Sequence, residues 1–229
     1  MTASRTVLLS VPLLALAMIV RGVRDDEGPV ADRAAPLADS VAEFGSVQDE
    51  RGWSYGYWDR TRDADRRYDP ASDFRPFEHY GNDPRNGLGS HDEFTTGPLW
   101  YLEDGRYYTS LWAEGGHANS GVALGEYAAA EQWAVRRWTS RTAGIVTISG
   151  QAGKVMPWGA NWGGECRGLI MVDGEVVLST VLDEQEQDYD VVVRIREGSV
   201  VDFLIAPSPS IGVVKFTATI RPRSTDIER

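Results

Sequence analysis

Few groups in this 229-residue chain could do chemistry. The three histidines, His79, His91 and His117, are spread through the sequence. No two stand at i, i+4, and no H-E-x-x-H occurs, so they read as ordinary loop residues. Gly89-Ser90-His91-Asp92 sets a Ser, a His and an Asp side by side. A nucleophile, its base and the orienting carboxylate must converge on one point, which adjacent residues cannot do. A nucleophile elbow, a phosphate-binding loop, a dinucleotide fingerprint and a haem attachment motif are all absent. No pair among the 34 acidic residues stands out for glycoside hydrolysis. Cys166 is alone, so an intrachain disulfide or multi-cysteine metal site is impossible. Gly81 to Asp92 (GNDPRNGLGSHD) has Asp and Asn oxygens suited to Ca²⁺ but lacks the ordered acidic spacing of an EF-hand loop. The expectation is a protein that is not an enzyme, with no cofactor and no assigned metal.

Aromatic residues are the better candidates. Gln151 to Glu165 (QAGKVMPWGANWGGE) sets Trp158 and Trp162 among Gly, Pro and Asn. Exposed tryptophans in such a loop are costly, so they either fold back to cap an edge or contact a ligand or partner. Trp53, Tyr55 and Tyr57 alternate with Ser54 and Gly56. They read as the core face of a first strand, or as a flat platform that stacks on pyranose rings. These five residues are the candidate ligand- or partner-binding set.

The elements that would position them are strands. Gln132 to Ser140 (QWAVRRWTS) is a pivot, with Trp133, Val135 and Arg137 on one face and Ala134, Arg136 and Trp138 on the other. It is expected to be central, with one tryptophan in the core, the other under an outer layer, and both arginines paired with acids. Pro98 to Asp104 and Arg106 to Ala113 read as a hairpin about Asp104-Gly105. Gly144 to Gly150 is a strand. Cys166 to Val172 and Glu175 to Leu182 flank Asp173-Gly174, a strong hairpin signal. Tyr189 to Arg196 turns Tyr189, Val191, Val193 and Ile195 inward, Ser199 to Ala206 follows, and Val213 to Arg221 closes with Phe216, Ala218 and Ile220 on one face. Short, evenly spaced strands predict an all-β, jelly-roll-type antiparallel β-sandwich over 43–222.

The series AVRRWTS, TAGIVTISG, LIMVDGEVV, YDVVVRIREGSVVDFLIAP and FTATI, with WSYGYW near residue 53, resembles a β-sandwich module of exported bacterial proteins. Such modules look like the non-catalytic, carbohydrate-binding jelly rolls attached to polysaccharide-degrading enzymes. The resemblance covers roughly Phe44 to Ile220 and implies a fold more than a function. Related modules carry an acidic-Gly turn before the strand matching Leu169–Val172. Here that position reads Gly163-Gly-Glu-Cys-Arg-Gly168, a departure from the pattern.

Ahead of this domain, Thr6 to Val20 (TVLLSVPLLALAMIV) is apolar and flanked by Arg5, Arg21 and Arg24. Its two readings are a cleaved signal segment ending near Ala15-Leu16-Ala17 and an uncleaved anchor. Fifteen helical residues span about 22 Å, short of the roughly 30 Å hydrocarbon core, but flanking residues can extend the helix. The expectation is a single hydrophobic helix over 1–24, with Leu8, Leu9, Leu13, Leu14, Leu16, Ile19 and Val20 as membrane contacts. Residues 25–42 then form an extended arm and 223–229 a disordered tail. Both readings put the domain outside the cytoplasm. Every acidic residue follows Arg24 and the net charge is −11, a surface that repels phosphate backbones, so nucleic acid is not an expected partner. The expected function is a non-enzymatic, membrane-anchored, periplasmic or cell-surface accessory subunit that binds and stabilises a larger membrane complex, respiratory or photosynthetic for example. The alternative is a secreted carbohydrate-binding module with a polysaccharide partner.

Overall fold

The computed structural model describes residues 35–82, 97–102, 109–122, 129–154, 166–182, 185–207 and 213–223. The hydrophobic segment at Leu8, Leu9, Leu13, Leu14, Leu16, Ile19 and Val20, the Asp104-Gly105 turn, His91, Trp158 and Trp162 lie outside the described residues. Among the described residues, no helix is long and apolar enough to cross a membrane.

Alternating apolar residues form strands because a strand sends successive side chains to opposite faces. In chain order these are β1 (Ala38–Asp39), β2 (Trp53–Asp59), β3 (Arg75–Pro76), β4 (His79–Gly81), β5 (Leu99–Tyr101), β6 (Ser110–Leu111), β7 (Gly115–His117), β8 (Gln132–Thr139), β9 (Gly144–Lys154), β10 (Cys166–Val172), β11 (Glu175–Leu182), β12 (Gln187–Ile195), β13 (Val200–Ala206), β14 (Val213–Phe216) and β15 (Thr219–Pro222). All pairings are antiparallel, in two sheets.

One sheet runs β11-β10-β13-β8-β2-β3. The other runs β1-β15-β9-β14-β7-β6-β5-β4, with β12 on the free edge of β9. Strands β14 and β15 lie end to end along β9, pairing with its Ala152–Lys154 and Val146–Ser149 stretches respectively. The break between them is where Gln151 donates its backbone N–H to Thr217 Oγ1 at 3.0 Å. Of residues 25–42, expected as an extended arm, 35–42 are described: Leu37 donates its N–H to the Ile220 carbonyl at 2.8 Å, and β1 pairs with β15.

The core lies between the two sheets. From the first sheet it takes Trp53, Tyr55, Ala134, Trp138, Ile170, Val172, Val201, Phe203 and Ile205; from the second Val146, Ile148, Val193, Ile195, Val214, Phe216 and Ile220. Phe203 meets Phe216 edge-on at 6.1 Å, and Tyr55 stacks on Trp100 at 5.8 Å, each pair bridging the sheets. Tyr189, Val191, Val193 and Ile195 are on the more buried side of β12, and Phe216, Ala218 and Ile220 are all buried.

The first sheet is covered on its other face too. The alternate residues Trp58, Val135, Leu204 and Met171, with Trp133 and Leu169, form a second cluster under Tyr68 and Phe74 from the loop between β2 and β3. The pivot β8 is therefore central and two-sided: Trp138 faces the core and Trp133 the outer layer. Burial on both faces explains why β8 reads as apolar along its length despite two arginines.

The arginines diverge. Arg137 forms a bidentate pair with Asp202, 2.8 Å from Nε and 2.9 Å from Nη2. Arg136 does not pair with an acid as expected. It points into the core, where Nη2 donates to the Trp112 and Ala113 carbonyls at 2.6 and 3.0 Å. Alternation is the reason, since it sends neighbouring side chains to opposite faces and only the outer one meets a carboxylate.

Candidate functional site

Two adjacent edge strands define the site. Strand β11 ends the first sheet and β12 borders the second. Their ends meet around a cleft of about 300 Å³ lined by Thr180, Val181, Gln185, Glu186 and Gln187. That volume is at the low end for a small-ligand pocket.

Polar side chains build its walls. Gln187 Nε2 donates to Thr180 Oγ1 at 3.0 Å and to the Val181 carbonyl at 2.9 Å, tying β12 to β11. Lys215 Nζ donates to Glu186 Oε1 at 2.9 Å and to Gln151 Oε1 at 2.7 Å. Gln151 Nε2 in turn donates to Asp188 at 3.2 Å. The result is a string of exposed planar amides and carboxylates that still carry free lone pairs and N–H groups. Planar amides and carboxylates on fixed strands suit ligands that offer vicinal hydroxyls as donors and acceptors together. Among the described residues, neither a histidine nor a cysteine lines the cleft.

Register sets parts of β9 and β10 beside this cleft. Ala152 pairs with Gln187, and Arg167 pairs with Val181. Strand β9 ends at Lys154 and β10 begins at Cys166, and Trp158 and Trp162 fall between them in the sequence, outside the described residues.

The other aromatic candidates have different surroundings. Trp53 and Tyr55 are 0% and 1% exposed. Trp53 Nε1 donates to Glu43 at 2.8 Å, and the Tyr55 backbone is bracketed by Gln48. Tyr57 is half-buried and stacks on Phe77 at 5.5 Å. Alternation puts the three on one face, but that face looks at the opposite sheet, so Trp53 and Tyr55 offer no open ring to a sugar. The structure brings none of the three to the β11–β12 cleft.

His79 and His117 sit on β4 and β7, three strand spacings or about 14 Å apart, too far to share a metal ion. Among the described residues no three His, Cys, Asp or Glu side chains gather around a metal position.

A second cleft, about 370 Å³, opens at the other end of the β9–β12 ladder. Leu37, Ile145, Val146 and Pro222 give it an apolar floor, with Arg194 and Arg223 at the rim. Its hydrogen-bonding side chains are almost all cationic, so it lacks the mixed donor and acceptor lining of the first.

The residues of the first cleft carried a faint sequence signal. Glu184-Gln185-Glu186-Gln187 alternates carboxylate and amide between two apolar strands. That run reads as a solvated turn; in the structure its Gln187 meets Thr180 and its Glu186 meets Lys215.

No family profile matches the chain, and no curated protein matches it. Among solved structures, a family 35 carbohydrate-binding module from Clostridium thermocellum aligns with a TM-score of 0.31 and 10% identity, over 55% of this chain and 87% of that one. A family 35 module from Cellvibrio japonicus gives a TM-score of 0.32 and 10% identity, over 59% and 80%. Rabbit GITRL gives 0.31 and 11%, over 40% and 74%. Likenesses of this size carry neither fold nor function across to this chain.

Proposed function

We propose that the chain is a non-catalytic carbohydrate-binding β-sandwich of jelly-roll type, with the β11–β12 cleft as its sugar subsite. The observation that carries this reading is the polar lining of the cleft by Thr180, Gln185, Glu186 and Gln187. Thr180, Gln187 and Glu186 supply donors and acceptors for sugar hydroxyls, and a tryptophan face supplies the surface for the C–H side of a pyranose. Lys215 holds Glu186 and Gln151 in place, so the polar groups are preorganised rather than recruited. An extracytoplasmic setting, where polysaccharide is found, is part of this proposal and rests on the apolar run Thr6–Val20 of the sequence. The other expectation, an anchored accessory subunit of a membrane complex, has no observation among the described residues in its favour.

A glycan array probed with the wild-type protein and with W158A, W162A and Q187A tests it. Wild type retains at least one polysaccharide. Each tryptophan variant weakens binding by about 1–3 kcal/mol if sugar stacking matches that of bases on aromatic rings. Q187A weakens it by about 0.5–1.5 kcal/mol, the net worth of a hydrogen bond. Absence of any retained glycan, or equal retention by all three variants, overturns the reading.

A further inference from the structure

Arg136 is a buried cation with no carboxylate hydrogen-bonded to it among the described residues. It is 2% exposed, on the inward face of β8, deep between the two sheets. A guanidinium so placed must recover its lost hydration through hydrogen bonds or a counter-charge. Nη2 does so on the Trp112 and Ala113 carbonyls. Nε and Nη1, on either side of it, have no hydrogen-bond partner. The Phe44 ring lies 5.8 Å from the guanidinium carbon and supplies a quadrupole, not an acceptor.

The neighbours repeat the pattern. Tyr55 is the cross-strand partner of Arg136 on β2, so their side chains rise together on one face about 5 Å apart at Cβ. The Tyr55 hydroxyl is also buried; the Gly45 backbone N–H beside it is a donor, so the phenol proton has no acceptor. Tyr189 approaches from the opposite sheet but spends its proton on the Thr217 carbonyl at 2.5 Å. Tyr55, Tyr189, Glu114 and Asp39 all bear electrostatically on Arg136, yet none is hydrogen-bonded or ion-paired to it, and burial pushes the guanidinium below its ordinary range.

We propose that Arg136 and Tyr55 form an internal site for a small monovalent inorganic anion of the halide class. Nε–H, Nη1–H and the phenol O–H are donors without acceptors, in a low-dielectric setting that holds a full positive charge. An anion accepts from the guanidinium and the phenol at once and neutralises the charge. A water molecule does only the first, and must itself find acceptors for two protons. Ions the size of chloride or bromide reach such a site through local opening of the sandwich, whereas gluconate is too large.

The full chain is melted in sodium chloride, sodium bromide and sodium gluconate at constant ionic strength. The expected result is a rise of about 3–6 °C with halide over gluconate, as mass action on the folded state requires for an ion near ten times its dissociation constant. Y55F, which keeps the ring and the packing, reduces that rise. R136M abolishes it if it folds. Should R136M fail to fold, Y55F and a bromide soak decide. An anomalous bromide peak within hydrogen-bonding distance of Nε or Nη1 supports the site. Equal melting in halide and gluconate, a halide effect unchanged in Y55F, or a peak replaced by ordered water overturns it. Glycan binding is a separate readout, so failure here leaves the β11–β12 cleft untouched.

Discussion

Arg137 and Asp202 face each other across β8 and β13 as register partners, joined by two hydrogen bonds of 2.8 and 2.9 Å, with the Asp202 side chain 1% exposed. Tyr68 donates to the same carboxylate at 3.0 Å, Arg137 Nη2 reaches the Pro70 carbonyl at 2.9 Å, and Phe74 lies 4.1 Å from the guanidinium carbon. The pair thus clamps the loop after β2 onto the outer face of the sheet. Burial pushes the Asp202 carboxyl up, against Arg137 and Tyr68, which pull it down. Desolvation also opposes charge on Arg137, but Asp202 and Tyr68 overcome it and raise the guanidinium. The bidentate geometry favours an ionised pair at neutral pH. Asp202→Ala strands a buried cation and is expected to cost about 3–5 kcal/mol. Arg137→Met with Asp202→Leu, which removes both charges, costs less than the single change. Urea unfolding of the three proteins checks this, and an equal cost for single and double variants refutes the clamp.

The turn at Asp173-Gly174 does more than reverse the chain. Both residues have positive φ, 50° and 88°, the left-handed pair that a two-residue hairpin needs. Asp173 also accepts the Ser199 hydroxyl at 2.9 Å and the Val200 N–H at 2.8 Å, stitching the β10–β11 hairpin to the start of β13. Asp173→Ala loses both acceptors and places a poorly tolerated residue at φ 50°. The expected cost is about 1.5–3 kcal/mol, the sum of two modest hydrogen bonds and a left-handed penalty. Asp173→Asn, which tolerates the same backbone and keeps one acceptor, recovers part of it when thermal melts of wild type and both variants are compared.

Most strands were legible because alternation and turn chemistry are local. Cys166–Val172 and Glu175–Leu182 end on the residues where the Asp173-Gly174 signal puts them. The two-sided burial of Trp133 and Trp138 follows from period two alone. What stayed hidden is long-range. That Tyr68 and Phe74 cover β8, or that Arg136 meets the Trp112 and Ala113 carbonyls, depends on pairings tens of residues apart. The cleft was equally hidden: Gln187 meets Thr180 only because β11 and β12 edge different sheets on the same side. The alternation of Trp53, Tyr55 and Tyr57 was visible, but period two does not say whether their shared face meets water or the other sheet.

Gly150 marks the joint where β14 gives way to β15. A Cβ built there would lie 1.9 Å from the Thr217 carbonyl oxygen and 2.7 Å from its carbon. Both are backbone atoms, so no rotamer change relieves the clash. Gly150→Ala must push β9 away from the Thr217 segment and lose the Thr217 N–H bond to the Gln151 carbonyl, 3.0 Å in the wild type. The expected loss is at least about 1–3 kcal/mol, as for an overpacked core. Gly144→Ala, with nothing within 4 Å of its Cβ position, clashes with no neighbour and serves as the comparison for backbone strain alone, since its φ is 150°. Denaturant midpoints of the two variants that coincide refute the close-approach account.

Alkaline pH gives the last test of the core. Burial raises the Tyr55 hydroxyl to about 12, with Arg136 pulling it down. Burial also raises Tyr68, where Asp202 adds to the effect, and Tyr189, where Arg136 opposes it. Each phenol ionises more readily in the unfolded chain than in the fold. Their contribution is therefore fully present below the ordinary tyrosine value, about 10, and is lost as pH rises through the raised folded values. For Tyr55 a two-unit elevation corresponds to about 2–3 kcal/mol. The protein is expected to lose stability steeply between pH about 10 and about 12, with tyrosinate absorbance appearing together with unfolding rather than before it. Tyr55→Phe removes one titrating group and flattens the slope by one proton. Tyrosinate absorbance that develops fully while the sheet circular dichroism is unchanged means that these phenols reach solvent in the folded state, and contradicts their burial.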